Sequence, residues 1–145
     1  MALLFFMKGV IKMREILFRG KRGTDDEWIY GYSVVHKDGC HAIIDSLYYD
    51  TYRVKTETVG QYIGLHDKHG KRIFEGDIVK TKFNRLCIVV WFSSPVVTGW
   101  DLEAVRTSNN LAYTYQPTPH DLWSSECLEV IGNIHDNPEL LEEVK

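Results

Sequence analysis

The sequence predicts a mainly β fold (β-rich α+β), in which antiparallel strands form a small barrel or two packed sheets and a short helix closes the chain. Short runs of aromatic and β-branched residues, such as WIYGYSVV at 28–35, recur along the sequence and favour strands. Clusters of Gly, Asp and Asn separate these runs, as turns between strands require. Helical segments are scarce, so strands are expected to form the core.

The chain length sets the domain organisation. Its 145 residues suit one domain that buries about two-thirds of its unfolded surface, so stability requires no disulfide or metal. Residues 1–12 are interpreted as an N-terminal extension before a single domain at 13–145. Within that domain we expect an N-terminal β part at 13–58, a barrel-like core at 59–135 and a short helix at 137–144.

Alternation and a tight turn mark the first strands. Residues 15–20 alternate charged and apolar character, which suits a short strand. Residues 28–35 lead towards Asp38 and Gly39. This pair between apolar runs favours a hairpin, because a type I′ turn needs positive φ at both central positions. The returning arm is predicted at 40–44.

Glycines and a charged turn organise the middle of the chain. Residues 59–65 form a short element that two glycines interrupt. A polar turn follows at 66–71, in which Gly70 supplies the left-handed conformation. Residues 72–74 then lead into the next pair of strands.

Two adjacent strands are predicted at 78–82 and 86–92, with Asn84 and Arg85 as the turn between them. The run at 87–92 is apolar without strict alternation, which indicates a strand buried on both faces. We therefore expect this strand at the centre of the core.

The last third of the chain adds strands and one helical turn. A strand is predicted at 100–105, an aromatic-rich strand after a polar turn within 109–115, and a closing strand at 127–134. Pro138 occupies the favoured first position of a short helix, and Asn137 is its expected cap.

Composition limits the classes of partner. The formal charge of -3 gives no overall basic bias, so the whole-chain balance does not support nucleic-acid binding. Three cysteines without a CxxC pair favour a reducing cytoplasm and small buried thiols. The apolar run at 2–7 is too short to cross a membrane, so no membrane partner is expected.

Catalytic motifs are weak. His66, His69 and Glu75 are candidates for a small metal-dependent hydrolase, but a lone HxxH in a turn lacks the three or four ligands of a zinc site. Glu75 and Asp77 share one strand face, where a turn hydrogen bond or solvation accounts for them. The sequence has no phosphate-binding glycine loop and no GxSxG motif. We expect a non-enzymatic protein without cofactor or metal.

Aromatic and basic residues mark a candidate nucleic-acid surface, because tyrosines can stack on bases and cations can bind phosphates. Its members are Tyr48, Tyr49, Tyr52, Arg53 and Lys55, together with Lys80, Lys82 and Arg85. The alternative is that the tyrosines pack at the edge of the core with solvated hydroxyls. Asp45, Asp50 and Glu57 lie nearby in sequence and would repel a phosphate backbone.

Two motifs follow one another along the chain. The first comprises TVGQYIGL at 58–65, DK at 67–68, GK at 70–71, Ile73 and EGDIV at 75–79, and the second comprises EVIGNI at 129–134 and NPEL at 137–140. In this order they resemble the YopX protein family, whose members are small proteins encoded by bacteriophages and prophages. REILFRG at 14–20 and WIYG at 28–31 also match. The resemblance covers 14–141 and implies no activity, cofactor or catalytic residue. The Gly-Asp-Ile-Val pattern at 76–79 is similar to the start of small SH3-like barrels.

The preferred hypothesis is a phage or prophage accessory protein that acts without catalysis in the cytoplasm of the bacterial host. Its expected partner is a second copy of itself or another phage or host protein, because exposed strand edges must be paired or protected. A nucleic-acid binding module is the alternative hypothesis.

Overall fold

The computed structural model describes residues 13–105 and 126–142, which form ten strands in two antiparallel sheets. The six-stranded sheet contains β1 (Phe18–Lys21), β2 (Trp28–Lys37), β3 (Cys40–Asp45), β4 (Thr51–Val54), β5 (Gly60–His66) and β6 (Arg72–Phe74), in the order β4-β3-β2-β1-β5-β6. The four-stranded sheet contains β7 (Asp77–Thr81), β8 (Leu86–Ser93), β9 (Thr98–Ala104) and β10 (Leu128–Asn133), in the order β10-β7-β8-β9. No helix in the described ranges is long and apolar enough to cross a membrane.

The mainly β prediction and the two-sheet alternative are confirmed, whereas the prediction of an SH3-like barrel is wrong. The chain leaves the six-stranded sheet after β6 and enters the four-stranded sheet at β7. Gly76 makes this change possible, because its φ of 83° is a conformation that glycine adopts without steric cost. Its N–H donates to Val89 and its carbonyl accepts from Ile134, so the crossing point is fixed to β8 and to the end of β10.

The predicted C-terminal helix at 137–144 is also wrong. From 137 to 142, where the described residues end, the structure has only a short 3-10 turn at Pro138–Leu141. Asn137 does not cap it through its side chain. That side chain instead accepts the backbone N–H of Asn133 at 3.3 Å and donates to Glu139 at 3.2 Å, so it closes the turn after β10.

Strand β8 is not buried on both faces, contrary to prediction. Cys87 and Val89 are buried, while Ile88 and Val90 between them are only half-buried and Trp91 is exposed. The run is apolar because one face packs in the core and the other is partly covered. Apolar composition alone does not distinguish these two situations.

Local turn chemistry is predicted better than burial. Asp38 and Gly39 have φ values of 54° and 75°, which confirms the tight turn between β2 and β3.

Strand β4 is missed, because its four residues alternate without an apolar run. The strand predicted within 109–115 lies outside the described residues.

The main core lies between the two sheets. Ile63 and Ile73 of the six-stranded sheet pack with Val79, Val89 and other buried residues of the four-stranded sheet. Leu17, Tyr62 and Phe74 form a second buried cluster. The β5–β6 hairpin therefore contributes to both clusters and links them.

Replacement of Gly31 by alanine is expected to destabilise the protein by about 1–3 kcal/mol, because there is no room for a Cβ. A Cβ at Gly31 would overlap the carbonyl oxygen of Ile44 and lie 2.6 Å from Cγ2 of Ile43. Gly23→Ala is the matched control, since nothing lies within 4 Å of its Cβ position. Urea unfolding of both variants tests this, and equal midpoints would contradict it.

Candidate functional site

A buried ion pair joins the two sheets. Arg19 on β1 donates through Nη2 to Oδ1 of Asp77 on β7 at 2.6 Å. Oδ2 of Asp77 accepts the backbone N–H of Phe74 at 2.8 Å, so one carboxylate holds both β1 and the crossing between the sheets. Arg19 is 5% exposed and Asp77 is 1% exposed, and solvation therefore does not account for Asp77.

Burial dominates the electrostatics of this pair. It raises the pKa of the Asp77 carboxyl above its ordinary value, while the charge of Arg19 and the N–H of Phe74 act in the opposite direction. Withdrawal of an ionised carboxylate from water is costly unless charge and hydrogen bonds compensate it. The pair is therefore a structural element whose two members depend on each other.

Asp67 connects the β5–β6 turn to the last strand. Oδ1 accepts the backbone N–H groups of His69 and Lys71, both at 2.9 Å, and Oδ2 accepts that of Val130 at 3.0 Å. Burial acts to raise the pKa of Asp67, but the three N–H donors outweigh it and lower the pKa. The charged turn that the sequence indicates is therefore anchored to β10.

The tyrosine part of the predicted nucleic-acid surface lies on and before β4. Tyr48 and Tyr49 are exposed in the β3–β4 turn. Tyr52 is half-buried on β4 under the guanidinium of Arg22, whose Cζ lies 5.2 Å from the ring centroid. Arg53 on β4 is exposed, and Lys55 forms an ion pair with Asp26. The tyrosine part therefore contains two exposed rings, and one of its two cations, Lys55, is paired with a carboxylate.

The lysine part of the predicted nucleic-acid surface lies on the four-stranded sheet. The tyrosine part and the lysine part are therefore on different sheets. Lys80 on β7 and the adjacent Lys82 line a small concavity of about 150 Å³ with Lys68. Glu126 and Glu129 line it too, and Lys68 pairs with Glu129 at 2.9 Å. Arg85 follows in the β7–β8 turn. Two carboxylates thus offset the lysines in this concavity.

The three residues suggested for a metal-dependent hydrolase have different neighbours. His66 Nδ1 lies 3.4 Å from the hydroxyl of Tyr62, and His69 Nε2 lies 3.5 Å from Glu129. Burial raises the pKa of Glu75, and a hydrogen bond from the backbone of Gln61 acts in the opposite direction. Within 13–105 and 126–142, no group of three or more His, Cys, Asp or Glu could hold a metal ion.

A groove of about 380 Å³ lies on the six-stranded sheet, with Arg19 in its wall. We call it the aromatic groove. It is lined by residues from β1, β2, β5, β6 and the adjoining turns: Glu15, Leu17, Arg19, Tyr30, Tyr32, Ser46, His66, Gly70, Lys71, Arg72 and Phe74. Rings and cations therefore converge in a concave site.

Sheet register explains this convergence. Arg19 is directly opposite Tyr30 across β1 and β2, and opposite residues share one face of a sheet. The Tyr30 and Phe74 rings meet edge to face with centroids 5.6 Å apart. Phe74 in turn is paired with Tyr62 in the β5–β6 hairpin. The hairpin thus brings Arg72 and the adjacent Lys71 into the same groove as Arg19 of β1 and the rings of β2.

A second exposed feature is the end of the β8–β9 hairpin. Trp91, Phe92, Val96 and Val97 are all exposed there, and we call them the apolar hairpin end. Trp91 meets Trp100 across the two strands with ring centroids 4.8 Å apart. No residue from 86 to 100 carries a charge.

Sequence reasoning missed both features, although each had a signal. Tyr30 and Tyr32 are two positions apart in a strand, where side chains share a face. The apolar hairpin end begins with the last two residues of the strand predicted at 86–92, and Pro95 marks its turn. The contribution of Lys71 and Arg72 had no local signal, because it depends on how the β5–β6 hairpin lies against β1.

The chain was compared with known proteins. A family model described as YopX protein matches residues 13–142, a span that contains every described strand and both exposed features. A search of curated proteins finds no match.

Proposed function

The chain belongs to the YopX protein family, and we propose that it is a non-catalytic accessory protein of a bacteriophage or prophage that works by association. The proposed partner is a second copy of the chain, bound through the apolar hairpin end. The proposed location is the cytoplasm of the bacterial host.

The observation that carries this proposal is the exposure of four large apolar side chains on one hairpin. Val96 and Val97 form its tip, and Trp91 and Phe92 point to opposite faces of β8. Several large apolar side chains exposed together at one hairpin end are typical of an interaction site in a soluble protein. The hairpin lies at one side of the four-stranded sheet, where β9 is the edge strand among the described residues.

The distribution of charge permits a second copy as the partner. Each chain carries a formal charge of -3, so two copies repel weakly at a distance. The uncharged run at 86–100 allows them to meet without juxtaposed like charges. A self-complementary patch of this type can form an isologous two-fold interface.

The geometry of β9 favours contact through side chains rather than through an extended sheet. The backbone N–H of Leu102 donates to Oδ1 of its neighbour Asp101 at 2.8 Å. A charged side chain that occupies an edge-strand N–H hinders the addition of another strand. The apolar side chains at the hairpin tip lie beyond this protected position.

Val97→Lys is expected to weaken association at least tenfold, because it places a charge on each side of a desolvated contact. Leu47→Lys is the matched control: Leu47 is 76% exposed and Val97 is 61% exposed, but Leu47 lies before β4. Sedimentation velocity over a concentration series measures both. A strictly monomeric wild type at high concentration, or equal weakening by the two variants, would contradict the proposal.

A further inference from the structure

We propose that the aromatic groove binds a nucleobase together with its phosphate, with the base on Tyr30 and Tyr32 and the phosphate on Lys71 and Arg72. The ligand is either a free nucleotide or one unit of a single-stranded nucleic acid, since both present the same chemistry. This site is separate from the apolar hairpin end and does not depend on self-association.

Two tyrosines supply the stacking surface. Tyr30 and Tyr32 are 40% and 55% exposed although they line a concave site. Phe74 is buried against the edge of the Tyr30 ring and limits its movement. Fixed and accessible rings on a sheet face provide the platform on which proteins stack unpaired bases.

The cations of the groove come from β6, from the turn before it and from β1. Lys71 and Arg72 are exposed where the β5–β6 turn enters β6. Arg72 pairs with Glu15 at 2.9 Å and Arg19 with Asp77 at 2.6 Å, while no carboxylate pairs with the Lys71 ammonium among the described residues. The cation available to a ligand in the groove is therefore Lys71. In a chain whose overall charge is negative, this unpaired cation favours an anionic ligand.

Arg19 provides an independent observation. Its guanidinium lies against the rings of Trp28 and Phe74, with Cζ 4.5 Å and 4.8 Å from their centroids. Nη2 binds Asp77, but the buried Nε has no acceptor within the described part of the chain. Buried donors are nearly always paired, and Arg19 lines the groove. A shift of the Arg19 side chain towards the groove would bring Nε, which is buried in the unbound protein, to an oxygen of a bound base or phosphate.

The presence of both rings and cations in the groove indicates the class of ligand that fits it. Rings alone would accept any apolar group, and cations alone would accept any anion. A ligand that satisfies both must be aromatic and anionic, and nucleotides combine a π face with a phosphate.

Fluorescence anisotropy of the full chain with fluorescein-labelled dT12 and U12 at low salt tests the proposal. Tyr32→Ala is expected to weaken binding about tenfold through the loss of one stacking contact. Lys71→Gln should also weaken binding and reduce the slope of log K against log salt by about 0.7, because one phosphate contact is removed. Competition by unlabelled dTMP and UMP distinguishes a free nucleotide from a single strand as the ligand.

Matched controls use exposed residues outside the groove. Phe83→Ala removes an exposed ring and Lys68→Gln removes an exposed ammonium, and each should change affinity less than twofold. Absence of binding to oligonucleotide and mononucleotide alike, or equal losses in the controls, would overturn the proposal. Thermal unfolding of each variant verifies that Tyr32→Ala and Lys71→Gln remain folded.

The Arg19 side chain gives a direct readout of the site. Its Nε–H resonance in a ¹H–¹⁵N spectrum is expected to shift when the nucleotide is added, because the proton acquires an acceptor. An unchanged Arg19 resonance at saturating ligand would exclude the groove as the binding site.

Discussion

Replacement of Asp77 by alanine is expected to lower the free energy of unfolding by about 3–5 kcal/mol, because it leaves the buried Arg19 cation without its counter-charge. The same change removes the acceptor of the Phe74 N–H at the crossing between the sheets. Both losses occur where water has little access, as Asp77 is 1% exposed. Urea unfolding followed by circular dichroism measures the change.

Two further variants separate the charge effect from a general intolerance of the site. Glu15→Ala removes the exposed ion pair with Arg72 and should cost less than about 1 kcal/mol. The double variant Arg19→Met with Asp77→Leu removes both buried charges and should be more stable than Asp77→Ala. If Asp77→Ala cost no more than Glu15→Ala, the ion pair would not hold the sheets together.

Replacement of Asp67 by alanine is expected to cost about 3 kcal/mol, because three backbone N–H groups lose a charged acceptor. Asp67→Asn should have an intermediate effect. One amide oxygen can still serve the turn, but the amide nitrogen cannot accept from Val130. Hydrogen exchange at the Val130 amide distinguishes the variants, and unchanged protection in Asp67→Ala would contradict this role.

Asp67 is also expected to contribute to the loss of folding stability at low pH. The pKa of Asp67 is lower in the folded protein than its ordinary value, so the unfolded state binds the proton more tightly. Its stabilising contribution is present above the unfolded pKa of about 3.9 and is lost as the pH falls through the folded pKa. Asp67→Asn should therefore flatten the dependence of unfolding free energy on pH in the acid range. Asp77, whose pKa is raised, contributes in the opposite sense.

Short-range features of this fold could be predicted from sequence, while its long-range features could not. The Asp38-Gly39 turn follows from the φ values that only certain residues adopt. The Asp67 turn was also visible, but its bond to Val130 spans 63 positions and has no local pattern. Asp77 was expected to form a turn hydrogen bond, and the same side chain also binds Arg19 58 positions away.

The wrong predictions share a physical cause. A barrel and two open sheets can contain the same strands. They differ in whether the two end strands of a sheet pair with each other. Gly76 directs the chain out of one sheet and into another, which glycine identity alone does not reveal. The candidate surface around Tyr48, which stays a prediction, rests on a local density of tyrosines, whereas the aromatic groove collects its residues from separate strands.

A dilution series of the tryptophan indole resonances tests the central claim most directly, because tryptophans lie both inside and outside the proposed interface. Trp91 and Trp100 meet at the hairpin, whereas Trp28 lies on β2 and donates from Nε1 to Asp136 at 2.7 Å. The proposal predicts that the Trp91 and Trp100 resonances shift with protein concentration while that of Trp28 does not. Concentration-independent Trp91 and Trp100 resonances, or an equal shift of Trp28, would contradict association through the apolar hairpin end.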